Sequence, residues 1–542
     1  MASALAVGCG PEDPAGDGDG TGSTSEAAGT TAVVDSTTGE ATTGGPWEAP
    51  LARGGISLDW VQANQGVGVT IGADGGEVGG GDRAAALIQD RVTLIRAFWT
   101  VPDDWETREI EGRLTVVWPD DSEEVFRDTK IVEGDAFEGD PERYFFWGLM
   151  AEQVVPGIRY RVELFETSPD YDALPESAAP RLPADGGLAY VGIEDSYLVM
   201  KTVVVPFIYD DGAGCSTVPD TSEETMQLFQ DLMYMQNPID RLDFEVHEPI
   251  MWDTPLTSFF QLNSFMAGLR ADEGALPETY YFGLVDVCSG GLGGAGGQAI
   301  DIPSDPVNPN AASSRISSGL SLDPDWSAET FVHEVGHCQG RRHVACNGEE
   351  GGPDPSYPYD GGDVGEWGFG VIDFGMRHPT FYKDYMTYCH PTWVGTWGWN
   401  KVYPVIRGLS EWDDGFPGGA VAPPDGGTTQ APPVDPYTGS LLMGMITPDG
   451  EEYWVTVPGN IDGRPRGSMR IELRAGGRLV ADELAYVHEV ADGEGTVVMV
   501  SLPERWSEVT GITRVTGDVR TPVARSAVDE HHRNRLVRRR AP

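Results

Sequence analysis

The chain has 542 residues, too many for one hydrophobic core, so several domains are expected. Asp and Glu number 86 against 36 Lys and Arg, and the formal net charge of -50 opposes binding to nucleic acid or to anionic lipid heads. Hydrophobic residues make up 40%, enough for folded cores, yet no run approaches the ~20 continuous apolar residues of a membrane span.

Residues 1–9 read as a lipoprotein signal remnant. Leu5-Ala6-Val7-Gly8-Cys9 resembles a bacterial lipobox, in which Cys9 is acylated. Residues 10–50 are rich in Gly, Thr, Ser, Asp and Ala and read as a disordered linker. Such an anchor and tether place the body outside the cell or at its envelope, with membrane contact only through the lipid.

Residues 51–200 carry short β-rich runs: 92–99, 113–118 and 159–164. The last alternates apolar and polar residues as a half-buried strand does. These runs predict a β-sandwich of immunoglobulin-like character. From 201 to 412 strands alternate with helices. Strands are expected at 202–208, 242–246 and 280–287. Helices are expected at 222–235, with Ser222 as N-cap, and at 256–269. The pattern is that of a mixed α+β domain. A Pro- and Gly-rich linker at 413–436 leads to a small β domain at 437–525, with strands at 453–457 and 496–500. Residues 526–542 read as a basic tail that carries Arg538, Arg539 and Arg540 in a row.

The chemistry concentrates in His333-Glu334-Val335-Gly336-His337-Cys338-Gln339-Gly340-Arg341-Arg342-His343. On a helix, His333 and His337 share a face and can aim their imidazoles at one point. Glu334 can reach a water there. Gly340 can adopt the left-handed conformation that ends a helix and returns His343 as a third ligand. Three imidazoles leave one position of a zinc ion open, as in catalytic sites. Three of the nine histidines fall inside this motif.

The motif resembles HExxHxxGxxH of the metzincin metallopeptidases. Downstream, Asp384-Tyr385-Met386-Thr387-Tyr388-Cys389 is similar to their methionine-containing turn. Arg341-Arg342-His343, Tyr357-Pro358-Tyr359, Gly365-Glu366-Trp367-Gly368 and Tyr388-Cys389-His390-Pro391 also resemble uncharacterised secreted bacterial members, some with immunoglobulin-like domains. The resemblance covers the 201–412 domain only. Val344 departs from the residues that named subfamilies carry after the third histidine, so no subfamily follows.

The resemblance implies a zinc metalloendopeptidase acting on extracellular protein or glycoprotein substrates. His333, His337 and His343 would hold Zn2+, and Glu334 would be the general base. Met386 would lie beneath the ligands, and Tyr388 would bind zinc or steady the transition state. Substrate would lie along a sheet edge, for which the glycines between Ser289 and Ile300 are candidates. Trp393, Trp397 and Trp399 would wall a side-chain pocket or pack in the core. Two other readings share the motif: a surface-binding lipoprotein with a vestigial protease fold, and a zinc hydrolase of a non-peptide bond.

Export implies oxidised cysteines. In metzincin-like folds the segments of Cys346 and Cys389 converge below the zinc, which implies a disulfide between them. Cys215 and Cys288 form a second candidate pair, leaving Cys338 as a buried thiol. Oligomeric state is not legible in the sequence.

Overall fold

A computed structural model of the chain describes residues 47–288, 292, 295–346, 348, 351–417, 436–490 and 495–530. Cys9, most of the 10–50 linker, Gly290, Gly291, Gly293, Gly294, residues 418–435 and residues 531–542 lie outside the described residues. The described chain is multidomain and mostly β. None of its helices is long and apolar enough to cross a membrane.

The N-terminal part is two antiparallel sheets. One runs Gly76–Glu77, Gly68–Ala73, Ser57–Asn64, Thr93–Thr100, Phe145–Leu149. The other runs Arg181–Leu182, Arg159–Glu166, Arg108–Val117, Glu123–Val132, with Ala189–Tyr190 also paired to Arg159–Glu166. The expected alternation holds: Tyr160, Val162, Leu164 and Glu166 are buried, and the residues between them are half-buried. Glu166 is a carboxylate at a core position, and Arg108 satisfies it with two hydrogen bonds of 3.1 Å. The sheets meet closely, since a Cβ at Gly112 would lie 2.7 Å from the Phe145 ring.

The central part is a seven-stranded sheet built on Val199–Asp210. Tyr280–Val285 pairs parallel to it, and Ile316–Leu320 parallel to that strand. Gly297–Ala299 closes this edge antiparallel. On the other side, Arg241–Val246 and Ile250–Trp252 pair parallel; Ser216–Thr217 pairs antiparallel with the end of the central strand, opposite Ile250–Trp252 and therefore on the Tyr280–Val285 side. The central strand is apolar on both faces because helices cover both. Met200 and Val204 join one core cluster, while Val203, Val205, Phe207 and Tyr209 join another. Pro206 sits between the two neighbours that share that side of the strand, Arg241–Val246 and Ile250–Trp252.

Helix α1 (Glu223–Gln236) is capped by Ser222, as its sequence implies. Helix α2 (Phe259–Glu273) starts three residues later than expected, because Ser258 caps it and Gln261 completes a capping box. Helix α3 (Pro324–Cys338) packs beside α1, with Phe331 stacked on Phe229 at 5.2 Å. Helix α2 lies on the opposite face, with Phe265 against Phe207 at 5.8 Å. Helix α4 (Thr396–Ser410) follows the methionine-containing segment.

The C-terminal part stacks two sheets. One runs Tyr486–Glu489, Thr496–Ser501, Ser440–Ile446, Glu452–Pro458, Val528–Asp529. The other runs Arg478–Leu484, Arg470–Ala475, Gly511–Thr516, Val519–Val523. Leu442, Trp454, Ile471 and Val498 fill the space between them. The outer face of the first sheet presents Leu441, Met443 and Met499 to the core of α2. Helix α2 is therefore buried on both sides, which explains its apolar character all round.

The N-terminal sheets are docked just as firmly. Trp393 Nε1 donates to Gly66 O (2.9 Å), Asn64 Nδ2 to Trp367 O (2.9 Å), and buried Arg91 to Met235 O (3.0 Å). Two boundary regions are more ordered than their composition implies. Asp413, at the start of the expected linker, is buried and ion-paired with Lys201. Val528 and Asp529, in the expected basic tail, pair with Trp454 and Val455.

Candidate metal centre and adjoining cleft

Asp323 caps α3 by accepting from Trp326 N, and Pro324 occupies the first turn. The helix then carries His333, Glu334 and His337 into the interior, all buried. It ends at Gly340, whose φ of +86° is left-handed. A Cβ there would also lie 2.9 Å from Pro303 O, so the tight approach needs glycine as well. Gly340 N donates to His337 O (2.8 Å) and Arg341 N to Gly336 O (3.0 Å). The chain turns back and brings in His343.

The three imidazoles converge. His337 Nε2 lies 3.1 Å from His333 Nε2 and 3.2 Å from His343 Nε2. Each Nδ1 is spent on a backbone carbonyl: His333 on Tyr385 O (2.8 Å), His337 on Arg341 O (2.7 Å), His343 on Gly351 O (2.9 Å). A carbonyl only accepts, so each Nδ1 carries the proton and each neutral Nε2 turns a lone pair toward its neighbours. Three lone pairs this close repel unless a cation lies among them. Nitrogen ligands about 2.0–2.1 Å from a tetrahedral centre sit roughly 3.3 Å apart, close to what is seen. Burial, then the repulsion that His343 and His333 would exert if they too were protonated, hold His337 well below the usual imidazole range, which keeps it ligand-competent. The buried triad can hold a metal ion.

The methionine segment lies directly beneath. Met386 is fully buried, and a Cβ at Gly336 would lie 2.6 Å from its sulfur. Met386 O accepts from Val344 N (2.8 Å), and its neighbour Tyr385 O holds His333. Arg341 and Asp384 form a buried ion pair at 2.9 Å, binding the return loop to this turn. Cys346–Cys389 joins the same two segments, and Cys215–Cys288 is the second disulfide. Both pairs fit an extracellular or exported protein. Cys338 is a free, buried thiol whose Sγ donates to Ile316 O (3.5 Å), and burial pushes its pKa up.

A cleft of about 420 Å³ opens beside the triad, lined by Gly297, Trp326, Thr330, Glu334 and Tyr388 among others. Tyr388 is 38% exposed, with its ring 4.8 Å from that of His343. Glu334 lies against the edge strand, where a Cβ at Gly297 would meet its Oε1 at 2.7 Å. Of the glycines between Ser289 and Ile300, Gly296 and Gly297 line the cleft. Trp393 and Trp399 are core residues, and half-buried Trp397 packs on Tyr357 at 4.9 Å; none of the three lines this cleft.

Two features of the site were not read from the sequence, one in the cleft wall and one beneath the triad. Glu329 accepts from His390 Nδ1 and from Thr392 N (3.2 Å) and Oγ1 (2.9 Å). Burial would raise its carboxyl, but these donors hold it below the ordinary range. The bond to Glu329 in turn raises His390. The available signal was Glu329 lying one helical turn before His333. The Arg341–Asp384 pair had no signal beyond two charges in separate segments.

No protein-family model and no curated protein matches this chain.

Proposed function

We propose that the chain is an exported zinc-dependent endopeptidase of metzincin type, acting on extracellular proteins or glycoproteins. The observation that carries this reading is the convergence of three tautomer-locked imidazoles beside Glu334 at the head of a cleft. His333, His337 and His343 would hold zinc, for which neutral imidazole is a suitable donor. When bound, zinc supplies Lewis acidity, polarising a carbonyl and bringing water's pKa near 7.

The chain's own residues supply the rest. An extended substrate would pair with the edge strand Gly297–Ala299, whose glycine admits a close backbone approach. Glu334 would take the proton of the attacking water and deliver it to the leaving nitrogen. Tyr388 would donate its hydroxyl to the oxyanion. Cys9, if acylated, would tether this body to the cell envelope. Palmitate labelling that is lost in Cys9→Ala tests the tether.

The test of activity is proteome-wide cleavage by the zinc-loaded protein, with metal content measured alongside. His337→Ala should lose the metal. Glu334→Gln should keep about one equivalent of zinc yet lose about 10²–10⁴-fold in turnover. Tyr388→Phe should keep the metal and lose about 10²-fold. Full zinc occupancy in His337→Ala, or undiminished cleavage by Glu334→Gln, would sink the assignment.

A further inference from the structure

A second cleft, of about 580 Å³, lies between the central part and the C-terminal β domain. Ile302, Arg342 and Gly351 line it from one side, and Pro448, Val487 and His488 from the other. It adjoins the metal centre: Arg342 precedes His343, and Gly351 O holds the His343 ring. The C-terminal domain is fixed there by a buried polar network. Asp301, fully buried, accepts from Ser314 Oγ (2.6 Å), Arg464 NH1 (3.2 Å) and Tyr486 OH (3.0 Å). The last two donors belong to the C-terminal part. The wall of the cleft is therefore a packed interface.

The chain of the edge strand passes from one cleft to the other through buried residues. Gly297 lines the first, beside Glu334, and the chain runs on through Ala299 and Asp301 to Ile302 in the second. A peptide laid antiparallel to this strand enters at the Ile302 end and leaves at the Gly297 end. Residues before the scissile bond then fall in the second cleft.

The described residues of its lining differ in charge from the chain as a whole. The net charge is -50, yet none of the cleft's described lining residues is acidic. Arg342 is exposed and makes no ion pair or hydrogen bond with a described residue. Its neighbour Arg341 is buried against Asp384. A guanidinium fork at a cleft, without a partner among the described residues, is suited to a carboxylate.

We infer that this interdomain cleft is the subsite for residues preceding the scissile bond, and that Arg342 selects an acidic side chain there. The inference rests on the peptidase reading. The β domain then helps to choose the substrate instead of serving only as a spacer.

The test uses zinc-loaded, full-length Glu334→Gln protein and calorimetric titration. The probes are acetyl-Glu-Glu-Ala hydroxamate, acetyl-Lys-Lys-Ala hydroxamate and acetohydroxamate, the last too short to reach the cleft. The glutamyl probe should bind at least tenfold tighter than the lysyl probe. Adding Arg342→Glu should reverse that order, with folding checked by circular dichroism. Equal affinities, or an order that survives Arg342→Glu, overturns the inference. Failure of acetohydroxamate to bind refutes the metal reading instead. The corresponding peptide amides, titrated in the same way, then decide the cleft by itself: a glutamyl preference that reverses in Arg342→Glu supports it, and its absence overturns it.

Discussion

The Arg341–Asp384 pair is expected to be a keystone of the metal centre, and Arg341→Met exposes that role. Arg341 NH2 lies 2.9 Å from Asp384 Oδ1, with the side chains 1% and 0% exposed. The same oxygen accepts from Met386 N at 2.9 Å. The guanidinium lies over the rings of Tyr385 and Trp397; methionine leaves an unbranched apolar side chain there but removes the charge. The Asp384 carboxylate is then buried without its counter-ion, which costs about 3–5 kcal/mol. With a urea dependence of about 3 kcal/mol per molar, the midpoint should fall by roughly 1 to 1.7 M. Arg341→Met/Asp384→Asn removes the stranded charge, keeps an acceptor for Met386 N, and should recover most of the loss. The carbonyls that orient His333 and His337 belong to Tyr385 and Arg341, so zinc affinity of the single variant should fall about 10–100-fold. Urea unfolding followed by tryptophan fluorescence, with competitive zinc titration, measures both. A single variant as stable as wild type, or a double variant less stable than the single, refutes the reasoning.

On the proposed peptidase reading, Gly297→Ala should bind zinc as wild type does while turnover drops about 10²-fold, because the new Cβ displaces the Glu334 carboxylate; unchanged turnover would separate Glu334 from the reaction. For Asp413, burial raises the carboxyl, but hydrogen bonds from Lys201 and Tyr197 outweigh it and bring the pKa to about 2. A depressed folded-state pKa stabilises above the unfolded value of about 3.9 and is lost as pH falls toward 2. Thermal melts between pH 7 and 2 should therefore show wild type losing stability below about pH 4, with Asp413→Asn less stable at pH 7 and flatter across that window; parallel curves would contradict it. Peptide mapping without reduction should recover Cys215–Cys288 and Cys346–Cys389 with Cys338 as a thiol; a Cys338 disulfide would contradict the fold around α3.

Local chemistry carried much of this protein into view before any coordinates. The spacing of His333, His337 and Gly340 dictates a ligand face and a helix end, because helical period and left-handed glycine are properties of the chain itself. Period-two alternation marked 159–164, within the strand Arg159–Glu166, and Ser222 marked the start of α1, for the same reason. Tertiary structure decided what depends on segments distant in sequence. Helix α2 is apolar all round because the C-terminal sheet covers the face that the central sheet does not. The imidazole tautomers depend on carbonyls of Tyr385, Arg341 and Gly351, two of them outside the motif. Asp413 and Val528 join folded parts through Lys201 and Trp454, partners that composition does not reveal. Arg342 stands in the motif, but its place between two domains follows only from how those domains pack. Sequence periodicity encodes which face a side chain occupies; only packing determines what that face meets.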